Sequence, residues 1–351
     1  WSSDVCSSDL NQAYKEGHKI ILHTARGMLS TNKNYDLIES KRPYIKKVLK
    51  DNGILYHDLI LMKPYADLYI DDKAIPAHKD LQKETGLYLF EDHNPRVHNK
   101  IIVSGDRIIK IGNLSGESYY YNNIPSKIKN YFPQIYFSSD NKIEMEKINL
   151  PTFSSLLLSK KLTKEDITNL VDTINILHNS FKFYDKINLN WGYKNKVVNR
   201  FDSELEFYKK LNIDITNYIS SIEFLKDFKF GIIHGDPVFT NIFKSNNSCK
   251  FVDVRGIWDE KLTIYGDIYY DYCKILQSLY GYDFILHNEE IQDNYLLILR
   301  NHFLDEVYKK LGKINYDELR IKTKLLYLSL LPLHKENLEK CDKFIKILNK
   351  I

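Results

Sequence analysis

Two short apolar runs bracket a set of oxygen-bearing side chains. Gly231–Phe243 reads GIIHGDPVFTNIF, and Phe251–Gly256 reads FVDVRG. Asp236 is followed by Asn241, and Asp253 comes twelve positions later. Ile232–Ile233 and Phe251–Val252 are short strand candidates, and a short loop between two strands presents all three polar residues on one side. Carboxylate and amide oxygens are hard donors of the kind Mg²⁺ takes. A capping Asp, a turn Gly and a coincidental Asn are the plainer alternative. The combination of His-Gly-Asp, Asn five residues on and an apolar-Asp-x-Arg-Gly element argues against coincidence.

The rest of the composition narrows the setting. The chain has 351 residues, 43% hydrophobic and 27% charged, which is ordinary for a globular protein and too long for one average domain. Lys+Arg 50 against Asp+Glu 46 leaves +4, too weak a charge to point to nucleic acid. No apolar run reaches the roughly 20 residues of a membrane span, and Leu325–Leu333 is interrupted by Ser329 and Pro332. Cys6, Cys249, Cys273 and Cys341 are scattered without a CxxC pair, which argues against a disulfide framework or zinc site and fits a reducing cytoplasm. Tyr 26 against Trp 3, with many Lys, Ile and Asn, is the usage of an AT-rich bacterial genome.

Residues 1–9 do not read as the start of a protein. They carry neither initiator Met nor signal-peptide pattern, and resemble a translated sequencing-adapter remnant. From Leu10 the pattern is helix end (Gly17 as C-cap), strand (Lys19–Thr24), helix (Tyr35–Asn52, stopped by Gly53) and apolar runs at Asp58–Met62 and Leu68–Ile70. That order predicts an α/β, Rossmann-like domain over 10–88. Residues 89–99, which include polar Glu91–Asn99 with Pro95, read as a linker. A hairpin around Gly105–Asp106 and strands at Ile135–Phe137 and Lys142–Ile148 make 100–150 strand-rich. Helical spacing dominates 151–351, with helices expected at Thr163–Phe181, Phe201–Leu211, Ile215–Phe228 and three in the tail.

Asp-x4-Asn followed by an Asp after an apolar pair is the spacing of a kinase catalytic loop and metal site. HGDPVFTN with VDVRG resembles the motif of the aminoglycoside phosphotransferase and choline kinase family. The resemblance covers about residues 100–285 and implies an α+β, protein-kinase-like, two-lobed domain with ATP between the lobes. Asp236 would then accept the acceptor hydroxyl's proton or orient the acceptor, with Asn241 and Asp253 on Mg²⁺. Tyr265–Asp271 resembles the family's later Gly-Asp-x-x-Tyr-Asp stretch, which makes Asp267 and Asp271 supports of the loop. His234 is read as a loop anchor. Lys110 ends a β-branched run with Glu117 seven residues on, the expected phosphate-contacting Lys and its helix Glu; an exposed Lys on an edge strand competes with that reading. Glu144–Ile148 resembles the family's hinge, placing Met145 and Glu146 beside adenine. Gly112 and Gly116 do not form a Gly-x-Gly-x-x-Gly.

A second group lies upstream: Thr24 in HTARGM, and Lys63, Asp71 and Asp72 in MKPYADLYIDDKA. A hydroxyl, an ammonium and two carboxylates at the carboxyl ends of strands suit a phosphate and Mg²⁺. These segments resemble motifs two to four of the haloacid dehalogenase (HAD) superfamily, closest to small proteins of bacterial capsule loci. The Asp-x-Asp nucleophile of that family has no counterpart before Thr24, so the resemblance implies an incomplete HAD-like domain and no phosphatase activity from this chain. A generic Rossmann-like domain with surface acids is the alternative.

The expectation is thus an ATP- and Mg²⁺-dependent kinase of a small-molecule alcohol, sugar or amino alcohol, set in surface-polysaccharide assembly. Its rivals are a HAD-type phosphatase in a longer parent and a kinase-like binding domain without catalysis. Asp259 and Glu260, just past the metal-site loop, are candidates for attracting a cationic acceptor, or simple surface charge. Trp191, Trp258 and the tyrosine clusters are read mainly as core.

Overall fold

The computed structural model describes residues 10–11, 14–15, 17–28, 30–63, 100–181 and 187–351. The chain separates into two units, Trp1–Glu91 and Asp92–Ile351. The expected linker at 89–99, and with it Leu68–Ile70, Asp71 and Asp72, lies outside the described residues.

In the first unit, β1 (Ile21–His23) pairs in parallel with β2 (Asp58–Ile60), in register Leu22 to Leu59. The crossover carries α1 (Tyr35–Glu39) and α2 (Arg42–Asp51). The single helix expected over Tyr35–Asn52 is two. Pro43 sits in the first turn of α2, where its missing N–H costs nothing but its ring disfavours helix just before it. Met28, Ile38, Leu49, Ile54, Leu59 and Leu61 form this unit's core.

The second unit begins with an antiparallel sheet of β3 (Lys100–Ser104), β4 (Arg107–Ile111), β5 (Ile135–Ser138) and β6 (Lys142–Glu146), ordered β3-β4-β6-β5. Gly105, at φ +58°, makes the hairpin turn that a β-branched residue could not. Between β4 and β5 runs α3 (Ser115–Asn123).

Helices follow: α4 (Phe153–Leu158), α5 (Lys164–His178), α6 (Trp191–Ser203), α7 (Leu205–Lys210) and α8 (Thr216–Glu223). Thr163 and Asp166 close a reciprocal cap on α5. The start of α6 has no clear signal in the sequence, and the helix expected at Phe201–Leu211 breaks at Glu204. Gly192 explains the first difference: it lowers helix propensity, yet a Cβ there would overlap the Trp258 ring.

The site region is built from small pairs. β7 (Phe230–Ile232) and a later strand, Tyr265–Asp267, are antiparallel. Between them lie the hairpin β8 (Ile242–Ser245) with β9 (Ser248–Phe251) and the short pair β10 (Ile257–Trp258) with β11 (Lys261–Leu262). With Tyr265–Asp267 as β12, the chain continues into α9 (Ile268–Leu279), α10 (Tyr282–Leu286), α11 (Asp293–Leu311), α12 (Tyr316–Leu328) and α13 (Leu338–Leu348). The three expected tail helices are the last three. One continuous core joins the four-stranded sheet to the helices, from Ile143 and Met145 through Phe251 and Cys273 to Phe344. Among the described residues, no helix is long and apolar enough to cross a membrane.

Candidate active site

The loop after β7 is held from behind by one carboxylate. Gly235 turns the chain at φ +88°, and this lets two successive amides face α9. The N–H groups of His234 and Gly235 each donate to Asp271 at 2.8 Å, and His178 Nε2 lies 3.0 Å from the same carboxylate. Asp271 is fully buried, so these partners are what make its charge tolerable there. The His234 ring is buried as well, and Nδ1 accepts from the Asp236 N–H at 3.2 Å. Burial pushes its imidazole below the ordinary value, against the pull of Asp271 and Asp236. It is a neutral anchor at pH 7.

Downstream, the loop closes on itself. Asn241 Nδ2 donates to the Asp236 carbonyl at 3.0 Å, and the Asn241 N–H donates to Val238 O at 2.8 Å. That fixes the amide so that, among the described residues, Oδ1 carries only the Thr240 hydroxyl, at 3.4 Å. The side chain of Asp236 remains 45% accessible, with Lys274 Nζ 2.9 Å from Oδ1. Desolvation raises its pKa, but the Lys274 ammonium, helped by Lys196, outweighs this and holds the carboxyl below the usual range.

Asp253 arrives from the segment after β9. The Val252 N–H donates to Asn241 O at 3.1 Å and the Arg255 N–H to His234 O at 3.0 Å, so the two segments are laced together on either side of Asp253. Asp253 takes φ +59°, a left-handed conformation in which Asp is among the better-tolerated residues. Its carboxylate accepts from Lys110 Nζ, which also reaches Glu117 Oε1 at 2.7 Å. Lys110 comes from β4, an interior strand, and is 7% exposed. Burial works against the ammonium, but Asp253 and Glu117 more than offset it and raise its pKa. Burial likewise raises the Glu117 carboxyl, opposed by Lys110.

Two glycines set how closely α3 approaches. A Cβ on Gly116 would overlap the Arg255 carbonyl, and one on Gly256, at φ +62°, would overlap the Gly116 carbonyl. The backbone of the helix carrying Glu117 thus rests directly on the backbone just past Asp253. Gly116, notable in the sequence only for failing to complete a glycine-rich loop, has this packing role.

Asp236, Asn241 and Asp253 therefore lie on laced segments, and Lys110 and Glu117 are tied to Asp253. Met145 and Glu146 are elsewhere on the sheet. Met145 is buried in the core, and Glu146 accepts from the Gln134 N–H at 3.1 Å and pairs with Lys250 at 3.2 Å. In the first unit, Thr24 and Lys63 follow adjacent parallel strands. The Thr24 N–H donates to Ile60 O and the Lys63 N–H to Thr24 O, both at 3.0 Å. Asp71 and Asp72 are outside the described residues. Lys274 is a site residue that sequence reasoning misses. Its signal is the three-residue spacing from Asp271, which puts both on the face of α9 turned to the loop.

No family model matches the chain, and no curated protein does. Solved structures similar to it include the choline kinase LicA from Streptococcus pneumoniae, at 12% identity over 72% of this chain and 90% of that one, TM-score 0.45. A glucosamine kinase is similar at 11% identity over 73% and 76%, TM-score 0.47. A choline/ethanolamine kinase family protein from Mesorhizobium loti is similar at 11% identity over 72% and 82%, TM-score 0.44.

Proposed function

We propose that residues 92–351 form a protein-kinase-like phosphotransferase that moves a phosphoryl group from ATP to a hydroxyl of a small molecule. The observation that carries this reading is the buried ammonium of Lys110 joining Glu117 and Asp253, beside a loop that offers Asp236 and Asn241. A strand Lys paired to a helix Glu, a metal-binding Asp and a catalytic-loop Asp with Asn five residues on are the recurring parts of kinase chemistry.

The donor set fits Mg²⁺. Asn241 Oδ1 and the Asp253 carboxylate are hard oxygens, too few for an all-protein cage and suited to a metal whose other ligands are phosphate and water. Bound Mg²⁺ would neutralise phosphate charge during transfer. Lys110 would contact phosphate oxygens while Glu117 holds its stem in place. Asp236, kept ionised by its surroundings, would accept the acceptor hydroxyl's hydrogen bond and orient the oxygen. In a loose phosphoryl-transfer transition state, orientation matters more than a strong base. We place Met145 and Glu146 near the adenine on the sequence resemblance alone.

For the first unit, Thr24 and Lys63 at neighbouring strand ends support a HAD-like phosphate site, with Asp71 and Asp72 its proposed metal ligands. The pairing of such a unit with a kinase would suit decoration of a bacterial surface polysaccharide.

The test is ADP release over a panel of small alcohols with Mg²⁺ and ATP. Asp236→Ala should lower acceptor-dependent turnover by about 10²–10⁴-fold while Mg-ATP still binds. Undiminished turnover in that variant would refute the assignment.

A further inference from the structure

Cationic side chains gather beside Asp236. Lys196 Nζ donates to the Tyr270 hydroxyl at 2.7 Å, and Arg255 Nη1 donates to the same oxygen at 3.2 Å. Lys274, one helical turn after Tyr270, pairs with Asp236 at 2.9 Å. Three cations from α6, α9 and the segment after Asp253 thus gather around a phenol and a single carboxylate. Among the described residues, neither Lys196 nor Arg255 forms an ion pair with an acid. Charges held partly out of water are costly without a counter-charge, which a bound anion would supply. Burial lowers Lys196 to about 8, and Lys196, Arg255 and Lys274 overcome burial to lower Tyr270 to about 8. The Arg255 guanidinium also lies 5.6 Å from the Trp191 ring. The Trp191 indole N–H, on a side chain 7% exposed, has no hydrogen-bond partner among the described residues. Asp259 and Glu260, the acids that might have drawn a cationic acceptor, occupy the tight turn between β10 and β11 at φ +53° and +58°.

We propose that Lys196, Arg255 and Lys274 form an oxyanion subsite, so that the acceptor is an alcohol that also carries a phosphate or carboxylate group. This rests on the phosphotransferase reading and deepens it. Two Lys and one Arg facing one carboxylate leave two positive charges to be met, the charge a phosphate monoester dianion brings. A choline- or amine-like acceptor would meet repulsion there instead.

The test is isothermal titration of the full chain, saturated with Mg²⁺ and a non-hydrolysable ATP analogue, with inorganic phosphate, acetate and ethanolamine as separate probes. Phosphate or acetate should bind, ethanolamine should not, and Lys196→Met and Arg255→Met should each weaken anion binding at least about tenfold. Lys196→Arg should restore it, and unchanged circular dichroism melts separate lost binding from lost folding. Anion binding that is indifferent to Lys196 and Arg255, or absent from the nucleotide-saturated chain, overturns the proposal. So does preferential binding of ethanolamine. Failure of the analogue itself to bind is a distinct result and counts against the phosphotransferase reading.

Discussion

At the scale of single residues, the informative side chains are charges placed where water is scarce. Asp253, Glu117 and Asp271 each have named cationic or amide partners. Asp283, on α10, is fully buried, and burial pushes its carboxyl up to about 6, with the Ser154 and Ser278 hydroxyls and its own backbone N–H pulling the other way. A carboxyl raised in the folded state favours folding fully below its unfolded value near 4, and that contribution is lost as pH rises through about 6. At pH 8 the ionised carboxylate destabilises the fold by about 3 kcal/mol, at about 1.4 kcal/mol for each pH unit between the unfolded and folded values. Asp283→Asn should therefore raise the melting temperature at pH 8 and give no advantage below about pH 4. A variant equally stabilised at both pH values would show that titration is not the cause.

At the scale of elements, the site depends on how closely α3 approaches the segment after β9. Gly256→Ala would place a methyl against the Gly116 carbonyl at a left-handed residue, so the backbone itself has to move. We expect a loss of about 3 kcal/mol in urea denaturation, at the upper end for overpacking, together with weaker Mg-nucleotide binding as Glu117 shifts from Lys110. The same contact marks the limit of what can be read from the chain. His234–Asn241 and Asp253 are legible because their chemistry depends on local spacing. The tail helices are legible because an apolar period survives any tertiary setting. The Gly116–Gly256 contact is not, because it joins residues 140 positions apart and leaves no local pattern. Lys196 and Arg255 are opaque for a related reason: a lone Lys on a helix reads as solvated face until the fold turns it inward. The break at Ser40–Lys41 is different, since Pro43 signals it in the sequence itself.

At the scale of the whole molecule, the described residues form two cores. Six buried residues centred on Ile38 serve the first unit, while one cluster from Leu114 to Ile351 serves the second. A ligand stabilises the unit that binds it, by about 2.7 kcal/mol at a hundred times its Kd. Calorimetry with Mg²⁺ and an ATP analogue should then raise the unfolding of the second unit alone. Ile38→Ala, which empties a fully buried site, should lower the first by about 2–5 kcal/mol and leave nucleotide affinity unchanged. A nucleotide response from both units would contradict a site confined to 92–351.

One turn of α9 carries Tyr270, Asp271 and Lys274 in succession, the middle one gripping the loop's amides and the outer two lining its front. The clamp and the lining are thus separate side chains on a shared rod. Exchanges at 270 leave the hold that 271 keeps on the loop intact, whereas an exchange at 274 also removes the ammonium beside Asp236.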